Sequence, residues 1–293
     1  MKILISGGSG LVGRNISLYL TGKGDITILT RDISKIKKND SLKYITRLDK
    51  GDYFDVVINL SGARLNKKRW SKEFKNELHQ SRVGVTKNLY ESIKLMEKKP
   101  LTYISASAIG IYGSDESRVF DENTIKDDSS FSQKLCLEWE REARKFEDLG
   151  CRVSILRFGV ILSNEDGFLK EILLPFKLGL GAIMGDGNQF FSWIHVKDLV
   201  SAIKFIIDNK LEGAYNLTSP NSVTNKEFSA SLAKTLSRPL LFKFPKWLIK
   251  IIFGQMGEEL ILSSTNVFPR KLINNGFKFE FANIDHALED LFK

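Results

Sequence analysis

The chain has 293 residues, 42% of them hydrophobic and 27% charged, a balance that suits an ordinary α/β globule and excludes disordered and fibrous classes. No apolar run approaches the ~20 residues that span a bilayer, and Ile3-Leu4-Ile5 breaks into glycine too early for a secretory leader, so a cytoplasmic protein without a membrane partner is expected. The formal charge of +9 is spread over short clusters, Lys35-Ile36-Lys37-Lys38, Lys67-Lys68-Arg69 and Lys98-Lys99, with acids between them and no interleaved aromatics; this reads as solvated surface, not a nucleic-acid groove.

From the N-terminus, short β-branched runs alternate with amphipathic segments: strands are expected at Lys2–Ser6, Asp25–Thr30, Lys43–Thr46, Asp55–Leu60, Leu101–Ala106 and Arg152–Arg157. That alternation predicts a Rossmann-type, doubly wound parallel sheet over residues 1–165, completed by segments near 190–220, where Ala214–Leu217 reads as a further strand. Residues 166–293 form a smaller, mostly helical lobe on the substrate side.

The first strand runs directly into Gly7-Gly8-Ser9-Gly10-Leu11-Val12-Gly13, which opens a helix. Strand, glycine turn and helix in that order suit a dinucleotide diphosphate: glycine permits the tight turn and close backbone approach, and the helix N-terminus offers amide donors. Gly7, Gly10, Leu11, Val12 and Gly13 are therefore expected on the cofactor, with Leu60, Ser61 and Gly62 after the fourth strand and Ser105 on the fifth. At the tip of the second strand stand Thr30, Arg31 and Asp32. A guanidinium there matches a 2′-phosphate in charge and geometry, which favours NADP(H); Asp32 is the competing ribose-binding acid of an NAD site.

Between Ser71 and Lys98, Phe74, Leu78, Val85, Leu89, Ile93 and Met96 form one stripe at helical spacing, so a single long helix is expected. Arg82 lies on that stripe, and a guanidinium on a core-facing stripe either snorkels to the helix edge or faces a cleft. Farther on, Gly185 to His195 is rich in glycine and aromatics; Gln189, Phe190 and Trp193 are candidates to orient a substrate, and His195 and Asp198 read as structural anchors. The two cysteines, Cys136 and Cys151, and three scattered histidines have no metal-ligand spacing, so no metal is expected.

The chain resembles the extended short-chain dehydrogenase/reductases, and within them the atypical "epimerase family protein" branch, similar to nucleoside-diphosphate-sugar epimerases. The resemblance rests on Asn59-Leu60-Ser61-Gly62-Ala63, on Arg69-Trp70 leading to Ser81-Arg82, and on Ser105-Ala106-Ser107-Ala108-Ile109-Gly110-Ile111-Tyr112-Gly113. It continues through Leu156–Ser163, Gly185–Leu199 and Pro269-Arg270-Lys271-Leu272. Typical members use a serine, a tyrosine and a lysine four residues after the tyrosine. The resemblance implies Ser107 as that serine, but it puts Ser132 at the tyrosine position, Cys136 at the lysine position and Arg82 where an asparagine is usual.

Chemistry must then come from Ser107 polarising a carbonyl and Arg82 binding an anion or oxyanion. Tyr112 is a substitute acid, and Cys136 is either a reactive thiol or a small buried hydrophobe. The expected activity is an NADP(H)-dependent oxidoreductase or epimerase-like reaction on a small anionic or sugar-like molecule. The missing Tyr-Lys pair leaves a non-catalytic NADP(H) sensor and a cell-division-related interaction protein as alternatives.

Overall fold

The computed structural model describes residues 1–35 and 39–292; Ile36, Lys37 and Lys38 of the first basic cluster lie outside the described residues. Seven strands, β1 (Lys2–Ser6), β2 (Asp25–Leu29), β3 (Lys43–Ile45), β4 (Val56–Asn59), β5 (Thr102–Ala108), β6 (Arg152–Phe158) and β7 (Gly213–Leu217), form one sheet. Its order is 3-2-1-4-5-6-7, and every pairing in it is parallel. Parallel strands covered on both faces read as unbroken apolar runs, and β1 and β4 do so with Ile3-Leu4-Ile5 and Val56-Val57-Ile58 fully or almost fully buried. β5 extends two residues beyond the expected Ala106, which brings Ser107 into the sheet.

Helices α1 (Leu11–Leu20), α2 (Lys72–His79), α3 (Val85–Lys94), α4 (Phe131–Arg144), α5 (Phe168–Lys177) and α6 (Val196–Asp208) follow in order. The remainder are α7 (Asn225–Thr235), α8 (Lys246–Phe253), α9 (Arg270–Asn274) and α10 (Ile284–Phe292). α1 and α6 cover one sheet face, where Ile16, Leu20, Leu199 and Ile203 pack on Ile3, Ile5 and Ile28. α3 and α4 cover the other, with Leu89, Ile93 and Ala143 against Leu4, Val57 and Tyr103. A separate core joins α5, α7 and α10 through Leu169, Phe176, Phe228, Leu232 and Leu288. No helix among the described residues is long and apolar enough to cross a membrane.

The single helix expected over Ser71–Lys98 is interrupted. A π-turn at Gln80–Gly84 separates α2 from α3 without breaking the helical path. One extra residue in a turn rotates everything beyond it, so Thr86 is buried where the stripe calls for Val85. Short strands also escape the sequence pattern: Asp115–Phe120 pairs in parallel with Thr265–Val267, and Trp193–His195 with Val160–Leu162.

Candidate cofactor and active site

The direction of winding reverses between β1 and β4, and in open α/β sheets it is beyond the C-terminal ends of the strands at such a reversal that the ligand crevice lies. Backbone contact there is too close for side chains. A Cβ on Gly7, whose φ is +81°, would stand 2.6 Å from the Leu60 carbonyl carbon, and one on Gly13 would stand 2.3 Å from the Gly7 carbonyl oxygen. The loop is thus pressed between α1 and the end of β4, while Gly10 is exposed and caps α1 without a side-chain bond. Leu11 and Val12 are half-buried at the start of that helix, whose first amides have no partner within it. Across the crevice the Ser6 and Ser61 hydroxyls lie 2.6 Å apart, and Gly62 is exposed.

At the tip of β2, Arg31 is exposed and Asp32 folds back on its own loop. An Asp32 carboxylate oxygen accepts bonds from the Ser34 amide at 3.0 Å and the Ser34 hydroxyl at 2.6 Å, a local turn. Ser105 departs from its expected place: it is fully buried, and its hydroxyl donates to the Ala106 carbonyl at 3.1 Å.

The π-turn brings two side chains onto the loop after β4. Ser81 Oγ accepts the Ala63 N–H at 3.0 Å, and Arg82 Nη2 donates to the Ala63 carbonyl at 2.9 Å, so the two peptide groups flanking Ala63 are both held. Ser81 and Arg82 also donate to the Leu78 carbonyl. Arg82 lies beneath Gly62 and 5.5 Å above the Trp139 ring, so it is held inward against the loop after β4 and does not snorkel. Its bonds run only to neutral oxygens. Burial lowers its pKa from the usual arginine value, with only the neighbouring Cys136 opposing the shift.

The other three candidate catalytic residues are sealed. Ser107 is 2% exposed and donates at 2.8 Å to Glu140, whose carboxylate also takes both Arg157 Nε and Nη2 at 2.8 and 2.9 Å. Burial opposes the charge on Arg157, but Glu140 outweighs it and raises the guanidinium pKa further. Tyr112 is fully buried, donates to Asn216 Oδ1 at 2.6 Å and accepts from Arg157 at 2.9 Å; burial pushes its pKa up to about 12. Cys136 is buried, and desolvation, followed by Glu140, takes its thiol up to about 12. A thiol so placed is protonated at neutral pH, which corrects the reactive-thiol alternative. Tyr112 and Ser107 likewise serve a buried polar network and have no face on the cleft.

The aromatic segment is corrected too. Trp193 is fully buried in the second core with its indole N–H on the Asn221 carbonyl at 3.1 Å. Gln189 is 4% exposed and donates through Nε2 to the carbonyls of Met184 and Ile261, while its Oε1 has no hydrogen-bond partner among the described residues. Phe190 is half-buried and pairs in a two-stranded sheet with Thr224. His195 and Asp198 anchor structure: His195 caps α6, and Asp198 accepts the amides of Glu280 and Phe281 at 2.9 Å each.

Sequence reasoning passed over two groups here. Glu259, from the C-terminal lobe, caps α4 by accepting the Phe131 and Ser132 amides and the Ser132 hydroxyl, the last at 2.7 Å. Asp166 holds Arg64, on the loop after β4, at 2.6 Å. Neither carries a local motif; each meets its partner more than 100 positions away.

A parallel sheet in this order, with a glycine loop wedged at its winding reversal, defines a Rossmann-type protein of the short-chain dehydrogenase/reductase kind, with a largely helical C-terminal region. The chain belongs to the NAD dependent epimerase/dehydratase family, whose pattern covers residues 3–218; residues 244–291 match a domain of unknown function, DUF1731. It is 39% identical over 298 residues to the epimerase family protein SAR0825 of Staphylococcus aureus, spanning 99% of this chain and 98% of that one. The epimerase family protein SERP0438 of Staphylococcus epidermidis is 36% identical over 299 residues, spanning 100% of this chain and 99% of the other.

Among solved structures, the human epimerase family protein SDR39U1, crystallised with NADPH, superposes with a TM-score of 0.90 at 28% identity over 99% of both chains. A nucleoside-diphosphate sugar epimerase from Corynebacterium glutamicum gives 0.78 at 28% identity, covering 100% of this chain and 58% of that one. The fold is an NAD(P)-binding one, and the family is that of NAD(P)-dependent enzymes.

Proposed function

We propose that this chain binds NADP(H) and acts as an oxidoreductase or epimerase-like enzyme on a small anionic or sugar-like substrate, with Arg82 holding the substrate's negative group. The glycine loop suits a dinucleotide because Gly7 and Gly13 let it pack directly on the Leu60 backbone and on its own turn, which holds the helix N-terminus at the end of β1, and the human relative that shares the fold was crystallised with NADPH. Arg31, exposed at the tip of β2, suits a 2′-phosphate. When bound, such a cofactor supplies a hydride donor or acceptor.

Arg82 carries the reading. A guanidinium has five N–H donors, and this one meets only the Leu78 and Ala63 carbonyls and the Ser81 hydroxyl. It is half-buried and no carboxylate among the described residues neutralises it, so an anion arriving beside Gly62 would find a desolvated, oriented cation. The Trp139 ring beneath and the grip on Ala63 fix the guanidinium plane, which orients the ligand without a moving side chain.

The test is a panel of carbonyl and sugar compounds, in charged and uncharged pairs, scored for NADPH oxidation. Anionic members are expected to react, and Arg82→Gln to lower kcat/KM at least about tenfold, the loss of one charge-assisted contact. Equal activity of Arg82→Gln and the parent would sink the assignment. The burial of Ser107, Tyr112 and Cys136 favours one other reading, an NADP(H) sensor without turnover. Tight NADPH binding with no oxidation across the whole panel would support it.

A further inference from the structure

The loop after β4 and the segment before α5 are tied together in front of the glycine loop. Arg64 stands four residues beyond Leu60, on one wall of the crevice. Its Nη2 reaches both carboxylate oxygens of Asp166 at 2.6 Å. The same carboxylate lies 3.5 Å from Arg14 Nη2, on the opposite wall, and Arg14 Nη1 donates at 2.7 Å to the Ser9 carbonyl inside the glycine loop. Asp166 therefore touches both sides of the crevice at once.

Three further contacts make this more than a chance surface pair. Asn66 donates to Glu171 on α5, a second bond between the same two segments. A Cβ on Gly167 would meet Leu11 Cδ2 at 3.3 Å, so the strap lies against the first residue of α1. Its positive φ of +85° gives the sharp turn that aims Asp166 back at the loop, and the Gly167 amide donates to the Asp166 carboxylate at 2.8 Å. Asp166 is only 16% exposed against 59% for Arg64 and 43% for Arg14. Burial opposes ionisation, yet the Gly167 amide and then Arg64 outweigh it and hold the carboxyl below its ordinary range.

On the reading that the crevice takes NADP(H), we infer that Arg64 and Asp166 form a clasp that closes over the dinucleotide's diphosphate and sets how fast the cofactor leaves. The loop carrying Arg64 is anchored at both ends: Ser81 and Arg82 hold Ala63, and the buried Trp70 donates its indole N–H to Leu65. The strap carrying Asp166 is the partner that swings. Arg14, already bonded to Ser9, gives the carboxylate a second cation, so closure draws the strap onto both walls.

Two measurements test the clasp on the full chain. The first needs no cofactor: amide hydrogen exchange of residues 163–167 in Asp166→Asn and Arg64→Gln is expected to quicken about fivefold, the scale of losing a partly exposed ion pair. The conservative Arg64→Lys variant, which keeps a cation opposite Asp166, is expected to retain most of the protection. The second is stopped-flow release of NADPH, read by its fluorescence. Release should quicken about fivefold in both single variants and stay near the parent rate in Arg64→Lys, and the acceleration of release by salt expected of the parent should flatten in the singles.

Unchanged exchange in both singles would overturn the clasp. So would a tighter NADPH complex in Asp166→Asn with a weaker one in Arg64→Gln, because Asp166 would then be an anion competing with the cofactor for Arg64. If the parent fails to bind NADPH, the cofactor reading fails, while the exchange measurement still decides whether the strap is clasped.

Discussion

Replacing Ser107 by alanine separates a serine that works on a ligand from one that holds a core together. Its hydroxyl is 2% exposed and gives one hydrogen bond, 2.8 Å, to a carboxylate. A bond to a charged group contributes about 1.5–3 kcal/mol, and the Glu140 oxygen left behind still receives Arg157 Nε, so the lower end, about 1.5 kcal/mol, is expected. Glu140→Gln should cost more, about 3–5 kcal/mol, because it leaves the Arg157 guanidinium, 3% exposed, as a buried cation without its counter-charge. The double variant should fall short of the sum by about 1 kcal/mol, since Ser107 without the Glu140 carboxylate has little left to lose. Urea unfolding followed by tryptophan fluorescence, without cofactor and with the slope of the transition unchanged, gives each value. An unchanged midpoint for Ser107→Ala together with lost turnover would refute the argument and return Ser107 to the substrate.

Gly13→Ala would drive a methyl to 2.3 Å from the Gly7 carbonyl oxygen and 2.6 Å from the Gly8 Cα. Backbone must move, at about 1–3 kcal/mol of stability, and the stabilisation that NADPH gives in a thermal melt should largely vanish; an undiminished NADPH shift would contradict the cradle. Arg31→Ala should abolish any preference for NADPH over NADH while leaving NADH binding intact, as measured by titration of both. His195 predicts the pH profile. Burial first holds its ring neutral, with pKa lowered to about 4 from 6.5, aided by Lys197 and His286 and opposed by Asp290. The unfolded chain therefore binds the extra proton, so this stabilisation is complete above pH 6.5 and drains away as pH falls towards 4, by about 2 kcal/mol at pH 5. His195→Phe should flatten that slope in urea midpoints taken from pH 7.5 to 5, and a parallel profile would rule the histidine out.

The sheet was readable because strand period and glycine punctuation are local: Ile3-Leu4-Ile5 followed by Gly7 announces a strand, a turn and a helix within ten residues. The π-turn was not, because one inserted residue leaves Phe74, Leu78, Leu89 and Ile93 on an almost regular stripe and betrays itself only in the exchange of Val85 for Thr86. Ser107 carried the right letter in the right motif, but its chemistry is decided by Glu140 and Arg157, which reach it from another helix and another strand. Gln189 and Trp193 stood in a glycine-rich stretch that resembles a ligand loop, and tertiary packing claimed both. Arg82 alone among the candidate catalytic residues is only half-buried, beneath Gly62, where the stripe left it undecided between edge and cleft.

The position of β7 has a consequence for how the chain is made. β6 ends at Phe158, but its outer neighbour is Gly213–Leu217, which leaves a ribosome about 60 residues later, several seconds at about 5–20 residues per second. Throughout that delay Val153, Ile155 and Leu156 line a naked strand edge that any other extended chain can join. The segments synthesised meanwhile, α5 and α6, must form without the edge being consumed, and α6 shields one face of it before β7 closes the row. A nascent chain stalled near residue 165 would offer that edge to its own copies until β7, the last strand of the sheet to be made, could close it.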